Sequence, residues 1–194
     1  MTHGKGPTGR KTDDSRDAMQ RARGGDREAF GLLVNNYANM VTGLALKLLG
    51  SREEALDCAQ DAFVRAWEKV DRYDDKWSVA TWLRRIVTNL ALDRLRRRKR
   101  RQGFPDGLDE TLGDGREGPD EAAQRHERAG QVRKAIAELP EKYKIVLVLR
   151  DMEGAEIAEI AEITGTNAAT VRWRLHRARA LFRDMWSAQS DQEQ

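Results

Sequence analysis

Apolar side chains along the chain fall into runs at the three-and-four spacing of amphipathic helices, and no stretch alternates with the period of two that a strand needs. Phe30, Leu33, Val34, Tyr37, Val41, Leu44, Ala45 and Leu48 make the first such run, with Asp26 placed to cap its start and Gly50 to end it. Ser51 followed by Glu54 has the form of a capping box, so a second helix begins at once, burying Ala55, Ala59, Ala62, Phe63, Ala66, Trp67 and Val70. A polar and aromatic loop from Asp71 to Ser78 separates it from a third helix, whose inner face is Val79, Leu83, Ile86, Val87 and Leu90. The pattern stops after the arginine-rich end of that helix and resumes near Glu121, running to Leu139. Pro140 suits the first turn of another helix carrying Tyr143, Val146, Leu147 and Leu149. Two more helices follow Gly154, over 156–163 and 167–186. The prediction is an all-α chain of two small helical domains.

Between the domains, residues 102–120 contain five glycines and two of the four prolines, a composition that neither starts a helix nor buries a face. The domain reading is a disordered tail over 1–22, a first domain over 23–101, a flexible acidic linker over 102–127, a second domain over 128–187 and a tail over 188–194.

Charge changes this picture more than composition does. The net charge of +3 averages 35 basic against 32 acidic residues, yet the charges are strongly segregated. Seven of the eight residues from Arg94 to Arg101 are basic, while 104–124 holds seven acids and one base. Five arginines and a single acid lie between Asn167 and Trp186. Such blocks describe partners, and basic blocks on helices suit nucleic acid. A single cysteine, Cys58, excludes an internal disulfide framework and points to a reducing, cytoplasmic setting. Three scattered histidines with one thiol cannot make a zinc site, so neither metal nor cofactor is expected. No apolar run approaches membrane-spanning length, and the polar N-terminus does not read as a secretory signal.

Ala161, Gly165 and Val171 have helix-turn-helix spacing: a small residue at the crossing, a glycine for the turn and an apolar residue packing the second helix on the first. Val171, Leu175, Ala178 and Phe182 share one face of that helix, opposite Ala169, Arg172, Trp173, His176 and Arg177. Arginines beside an outward tryptophan suit a reader of the major groove. Thr164 and Thr166 stand where such turns usually bury apolar residues. In the first domain, Tyr73, Trp77 and Trp82 lie beside the basic run, a combination suited to stacking single-stranded bases along a positive track. Glu153, Glu156, Glu159 and Glu162 could suggest carboxylate catalysis, but no nucleophile or phosphate loop accompanies them. They read as a solvated face, and the chain reads as a non-enzyme.

Together these residues resemble a known family. The segments Glu54–Phe63 and Thr81–Asp93 are similar to regions 2.2 and 2.3–2.4 of extracytoplasmic-function RNA polymerase sigma factors. Leu139–Tyr143, Leu149–Asp151, Glu159–Glu162 and Arg174–Arg179 resemble their region 4. The matches keep the family's order over about 140 residues. The resemblance implies a region 2-like bundle and a region 4-like helix-turn-helix that direct core polymerase to −10 and −35 promoter elements and assist −10 melting. It implies polymerase contact through Asp57, Gln60, Asp61 and Arg65 on the β′ clamp helices, with region 4 on the β flap. It places Tyr73, Trp77, Ser78, Trp82, Arg85, Asn89, Arg97 and Arg98 at the −10 element. Ala169, Thr170, Arg172, Trp173, Arg174, His176 and Arg177 would meet the −35 element. Promoter DNA, core polymerase and an anti-sigma factor are the implied partners; no small-molecule substrate and no membrane insertion are expected. The chain departs from the family at Ala169 and Trp173, where glycine and serine are usual, at Thr164 and Thr166, and at 154–156. A stand-alone helix-turn-helix regulator is the rival reading, but it leaves the first domain without a task.

Overall fold

The computed structural model describes residues 7–102 and 130–190, with side chains over 14–100 and 130–187. Every regular element among them is helical. The first half is a bundle of α1 (Pro7–Arg23), α2 (Arg27–Leu49), α3 (Arg52–Glu68) and α4 (Val79–Gln102), with a 3₁₀ turn at Val70–Arg72. The second half holds α5 (130–138), α6 (Glu141–Leu147), α7 (Ile157–Thr164) and α8 (Ala168–Ser190). The chain leaves α6 through a π turn, Val148–Met152, whose wider winding ends at Gly154 with φ +69°.

Capping side chains set the helix starts as the sequence predicts. Asp26 Oδ1 accepts from the Ala29 N–H at 3.0 Å, and Ser51 Oγ accepts from the Glu54 N–H at 3.3 Å. The Ala29 amide, followed by the Arg21 guanidinium, holds the Asp26 carboxyl below its ordinary range. Gly50 takes φ +82° and ends α2, which lets α3 fold back against it. Ala55, Ala59, Ala62 and Ala66 are all buried on α3, and their small side chains suit a close approach to α2 and α4.

Three expectations change. The tail over 1–22 was expected to be disordered, yet α1 packs against α2, α4 and the 3₁₀ turn. Its apolar residues are few, but Ala18, Met19 and Ala22 fall on one stripe and are buried, with Ser15 beside them accepting from the Tyr37 hydroxyl at 3.0 Å. Burying Met19 alone contributes about 1.5–3 kcal/mol. A short stripe on a polar helix is easily missed in a period count; a waiting groove makes it sufficient. The C-terminal tail also begins later than expected, since α8 continues to Ser190. Finally, the two halves are not merely tethered. Helices α4 and α7 pack together, and one continuous cluster of buried apolar residues runs through both halves. The acidic linker lies almost wholly outside the described residues, as does the expected helical stretch before residue 130.

Candidate nucleic-acid interface

Helix α8 is built to present one face outward. Gly165, at φ +64°, makes the left-handed turn after α7, and Asn167 Oδ1 caps α8 by accepting from the Thr170 N–H at 2.8 Å. Val171, Leu175 and Ala178 are buried, which turns Arg172, Trp173, His176 and Arg177 to solvent, with Ala169 exposed and Thr170 and Arg174 half-buried. The two turn threonines satisfy their own polar atoms. Thr164 Oγ1 donates to the Ile160 carbonyl at 2.7 Å and lies 3.0 Å from Thr166 Oγ1, so hydroxyls replace apolar packing at no cost in unpaired groups. Arg179 grips Asp151 through two hydrogen bonds, 2.9 and 2.5 Å, fixing α8 against the π turn.

Trp173 is 58% exposed and tilts against Tyr143 of α6 with ring centroids 6.1 Å apart. Lys142 lies over the Tyr143 ring at 5.0 Å. The indole is therefore steadied from one side and open on the other. Sequence periodicity places Trp173 outward but does not reveal the tyrosine behind it.

In the first half, the aromatic loop is organised from within. Tyr73 is buried, donates its hydroxyl to the Trp77 carbonyl at 2.7 Å and meets Trp82 edge-on at 5.5 Å. Burial pushes its phenol pKa up. Ser78 caps α4 by accepting from the Thr81 N–H at 3.1 Å, and Arg16 from α1 donates to the Asp75 carbonyl at 3.4 Å. Trp77 is half-buried beneath Lys76, and Trp82 packs partly into the core. Along α4, Trp82, Arg85 and Asn89 fall on one stripe at three-and-four spacing. Arg97 and Arg98 turn away from that stripe and line an open cleft between α3 and α4 instead, where Arg98 faces Glu54 at 3.7 Å.

Asp57, Gln60, Asp61 and Arg65 all lie exposed on the outward face of α3. Asp61 is paired with Arg94 across the cleft at 2.5 Å. Two residues absent from the sequence-based set share this face: Leu56 and Val64 are 44% and 59% exposed. Both stand in water beside the charged side chains of that face. Their spacing of eight residues on an otherwise polar face was the available signal.

The four glutamates in and before α7 do not form the solvated face predicted for them. Glu156 is exposed, but Glu153, Glu159 and Glu162 are half-buried against the first half. Glu153 meets Lys47 at 2.5 Å, Glu159 accepts from the Thr81 hydroxyl at 2.7 Å, and Glu162 pairs with Arg85. Nothing among the described residues gathers three metal-ligating side chains, and none of their helices is long and apolar enough to cross a membrane.

A helix-turn-helix with an arginine-rich outward face, packed on a helical bundle, defines a DNA-binding protein of the helix-turn-helix class. Comparison with known proteins specifies which. Residues 33–101 match the family Sigma-70 region 2, and residues 129–182 match Sigma-70, region 4. The chain is 33% identical over 178 residues to the ECF RNA polymerase sigma factor SigW of Bacillus subtilis (strain 168), covering 85% of this chain and 92% of that one. It is 36% identical over 156 residues to the ECF RNA polymerase sigma factor SigM of Mycobacterium tuberculosis, covering 80% and 76%. Among solved structures, CnrH in complex with the cytosolic domain of CnrY superposes with a TM-score of 0.66 at 26% identity, over 90% of this chain and 98% of that one. The sigma factor RpoE of Bartonella quintana, solved with the anti-sigma factor NepR, has a TM-score of 0.65 at 20% identity and shares the fold, over 81% and 96%. The chain belongs to the extracytoplasmic-function sigma factors. It is a non-enzymatic initiation factor that binds RNA polymerase and directs it to specific promoters. The region 2 match gives the first half the task that a stand-alone regulator would have left open.

Proposed function

We propose a division of labour among named faces of this sigma factor. The outward face of α3, with Asp57, Gln60, Asp61 and Arg65 around Leu56 and Val64, docks on the β′ clamp helices of core polymerase. The loop held by Tyr73, with Trp77, Ser78 and the Trp82–Arg85–Asn89 stripe of α4, receives the melted −10 strand. Tyr73 props that loop from beneath rather than stacking on a base, because its ring is buried. Arg97 and Arg98, set in the cleft beside α3, hold backbone phosphate where DNA leaves this site. Helix α8 reads the −35 element with Ala169, Thr170, Arg172, Trp173, Arg174, His176 and Arg177, while its domain rests on the β flap. The functional units are 23–101 and 128–187, with α1 joining the first. An anti-sigma factor holds the protein in a cytoplasmic resting state, as the relatives solved with CnrY and NepR suggest.

The observation that carries this reading is the face of α8, where Arg172, Trp173 and Arg177 stand exposed on a helix whose other side is locked into a helix-turn-helix. The test is core-dependent run-off transcription followed by mapping of start sites. Wild type should yield discrete start sites only with core enzyme. Asp61→Arg or Gln60→Arg should weaken core binding by about tenfold or more, the equivalent of about 1.4 kcal/mol. The fold should survive, since exposed ion pairs contribute little to stability. Unchanged core affinity would return the α3 face to ordinary solvent.

A further inference from the structure

Helix α1 lies ahead of the residues that match Sigma-70 region 2, yet it packs on the elements at both ends of the loop from Tyr73 to Ser78. It touches the 3₁₀ turn Val70–Arg72 that leads into the loop and α4 that leads out of it. Ala18 and Met19 are buried and Ser15 accepts from the Tyr37 hydroxyl at 3.0 Å, so the helix is fixed to the bundle. Arg16, next to Ser15, reaches the middle of the loop, where its Nη2 donates to the Asp75 carbonyl at 3.4 Å. Other restraints come from within the loop. The Trp77 N–H donates to the Asp74 carbonyl at 3.3 Å, the Lys76 N–H donates to Asp74 Oδ1 at 3.0 Å, and the Tyr73 hydroxyl donates to the Trp77 carbonyl at 2.7 Å. These bonds fold 73–77 into a turn whose tip, Asp74, Asp75 and Lys76, is exposed. The Arg16 contact ties that tip to the bundle. Burial raises the Tyr73 phenol, and the nearby Arg16 charge opposes that rise, so the guanidinium stands close to both residues.

We infer that Arg16 is a positioning residue of the −10 site: from α1 it holds the 73–78 loop in the shape that receives the strand, without itself touching DNA. This rests on the reading of that loop as the place where the melted strand is received. The physical reason is preorganisation. A loop ordered before binding gives up less conformational freedom when the strand arrives, so a restraint at its tip raises affinity without contacting a base. Three consecutive exposed polar residues would otherwise sample several shapes and carry Trp77 with them. A guanidinium suits the task because it is always charged and offers several donors at the end of a long side chain. A lysine in its place keeps one such donor. Arg16 is itself exposed, so replacing it leaves the buried stripe of α1 intact and should barely move stability.

The test uses the full chain bound to core polymerase and a single-stranded oligonucleotide carrying the −10 sequence that start-site mapping supplies. Arg16→Met should weaken binding of that strand by about threefold to tenfold, the worth of one hydrogen bond. Core affinity, thermal midpoint and −35 preference should stay at their wild-type values. In the free chain, amide exchange at residues 74–77 should quicken. Arg16→Lys should recover most of both losses. Arg23→Met removes another exposed charge from the same helix and should change neither. A positioning residue leaves the salt dependence of strand binding unaltered, whereas a lost phosphate contact flattens its slope by about 0.7. A flattened slope, unchanged exchange in the loop, equal weakening by Arg23→Met, or a thermal midpoint that falls in step with affinity overturns the inference. Trp77→Ala separates it from the reading beneath. If Trp77→Ala weakens strand binding and Arg16→Met does not, the positioning role falls and the loop reading stands. If Trp77→Ala binds like wild type, the loop reading falls and takes the role of Arg16 with it.

Discussion

Helices α4 and α8 both carry a dense run of arginines, and the structure treats the two runs in opposite ways. On α4, Arg84, Arg85, Arg94, Arg96 and Arg98 each face a carboxylate within 4 Å, drawn from α3, from α4 itself and from the second half. On α8, among the described residues, only Arg179 does so. Arginine content therefore does not reveal readiness to bind DNA. What matters is whether the anion beside each guanidinium is a phosphate or a protein carboxylate, and that is decided by which helices pack together. The face of α8 proposed for the −35 element is thus displayed in advance, whereas the arginines of α4 are largely matched with protein acids.

The most disruptive way to break the comparison is to empty the core beneath the helix-turn-helix. Ile160 is fully buried on α7. Ile160→Ala should cost about 2–5 kcal/mol. Chemical denaturation should then show the second half melting before the first, with −35 recognition and the packing of α7 on α4 lost together. A single unchanged transition would mean that the two halves unfold as one unit.

Trp173→Ser sharpens the comparison by changing the open face alone. The indole is 58% exposed, so stability should move little, while −35 preference should shift or relax at one or two positions. A lost base contact costs roughly 1–3 kcal/mol, well within reach of a selected promoter library. Identical −35 preferences for wild type and variant would assign Trp173 to a protein partner. On α4, Asn89→Ala should alter preference at one −10 position and spare the rest. Uniform weakening of every promoter would make Asn89 a general contact.

Tyr73 separates scaffold from reader. Tyr73→Phe keeps the ring against Trp82 but loses the hydrogen bond to Trp77, and should destabilise the first half by about 1 kcal/mol. Promoter opening should weaken with it. A base-stacking tyrosine would instead tolerate phenylalanine and fail only as alanine.

In pH the two halves contribute opposite signs. Lys144 in α6 is buried with its ammonium donating to the Ala137 carbonyl at 2.7 Å, and burial, aided by Arg98, pushes its pKa down to about 8. Below pH 8 folded and unfolded chains both carry that proton and the burial penalty is present in full. Between 8 and the ordinary 10.5 the unfolded chain holds the extra proton, so stability rises with pH. Cys58 in α3 runs the other way. Burial raises its thiol from 9.0 to about 11, so above pH 9 the unfolded chain loses a proton that the folded chain keeps, and stability falls. Thermal melts should rise from pH 7 to about 9 and flatten beyond it. Lys144→Met should remove the rise, with a gain at pH 7 of roughly 2–4 °C for each kcal/mol recovered.

How much of this was legible in the sequence can be traced residue by residue. The caps at Asp26, Ser51 and Asn167, the turn glycines Gly50 and Gly165, and the inward stripe Val171–Leu175–Ala178 are local decisions, set by backbone sterics and by side chains reaching no further than one turn. They determine the helices, the helix-turn-helix and which face of α8 looks outward, and the regional motifs carry the family with them. Helix α1, the burial of Tyr73, the tyrosine behind Trp173 and the contacts of Glu159 and Glu162 with α4 were not legible. Each depends on a neighbour distant in sequence: Met19 needs the groove of α2 and α4, and Glu159 and Glu162 need residues 78 and 77 positions earlier. Periodicity reports which side of a helix is apolar, so it assigned those glutamates to water. Only tertiary packing could bring an arginine-bearing helix against them, because the attraction between charges depends on distance through space and on how much water is excluded between them.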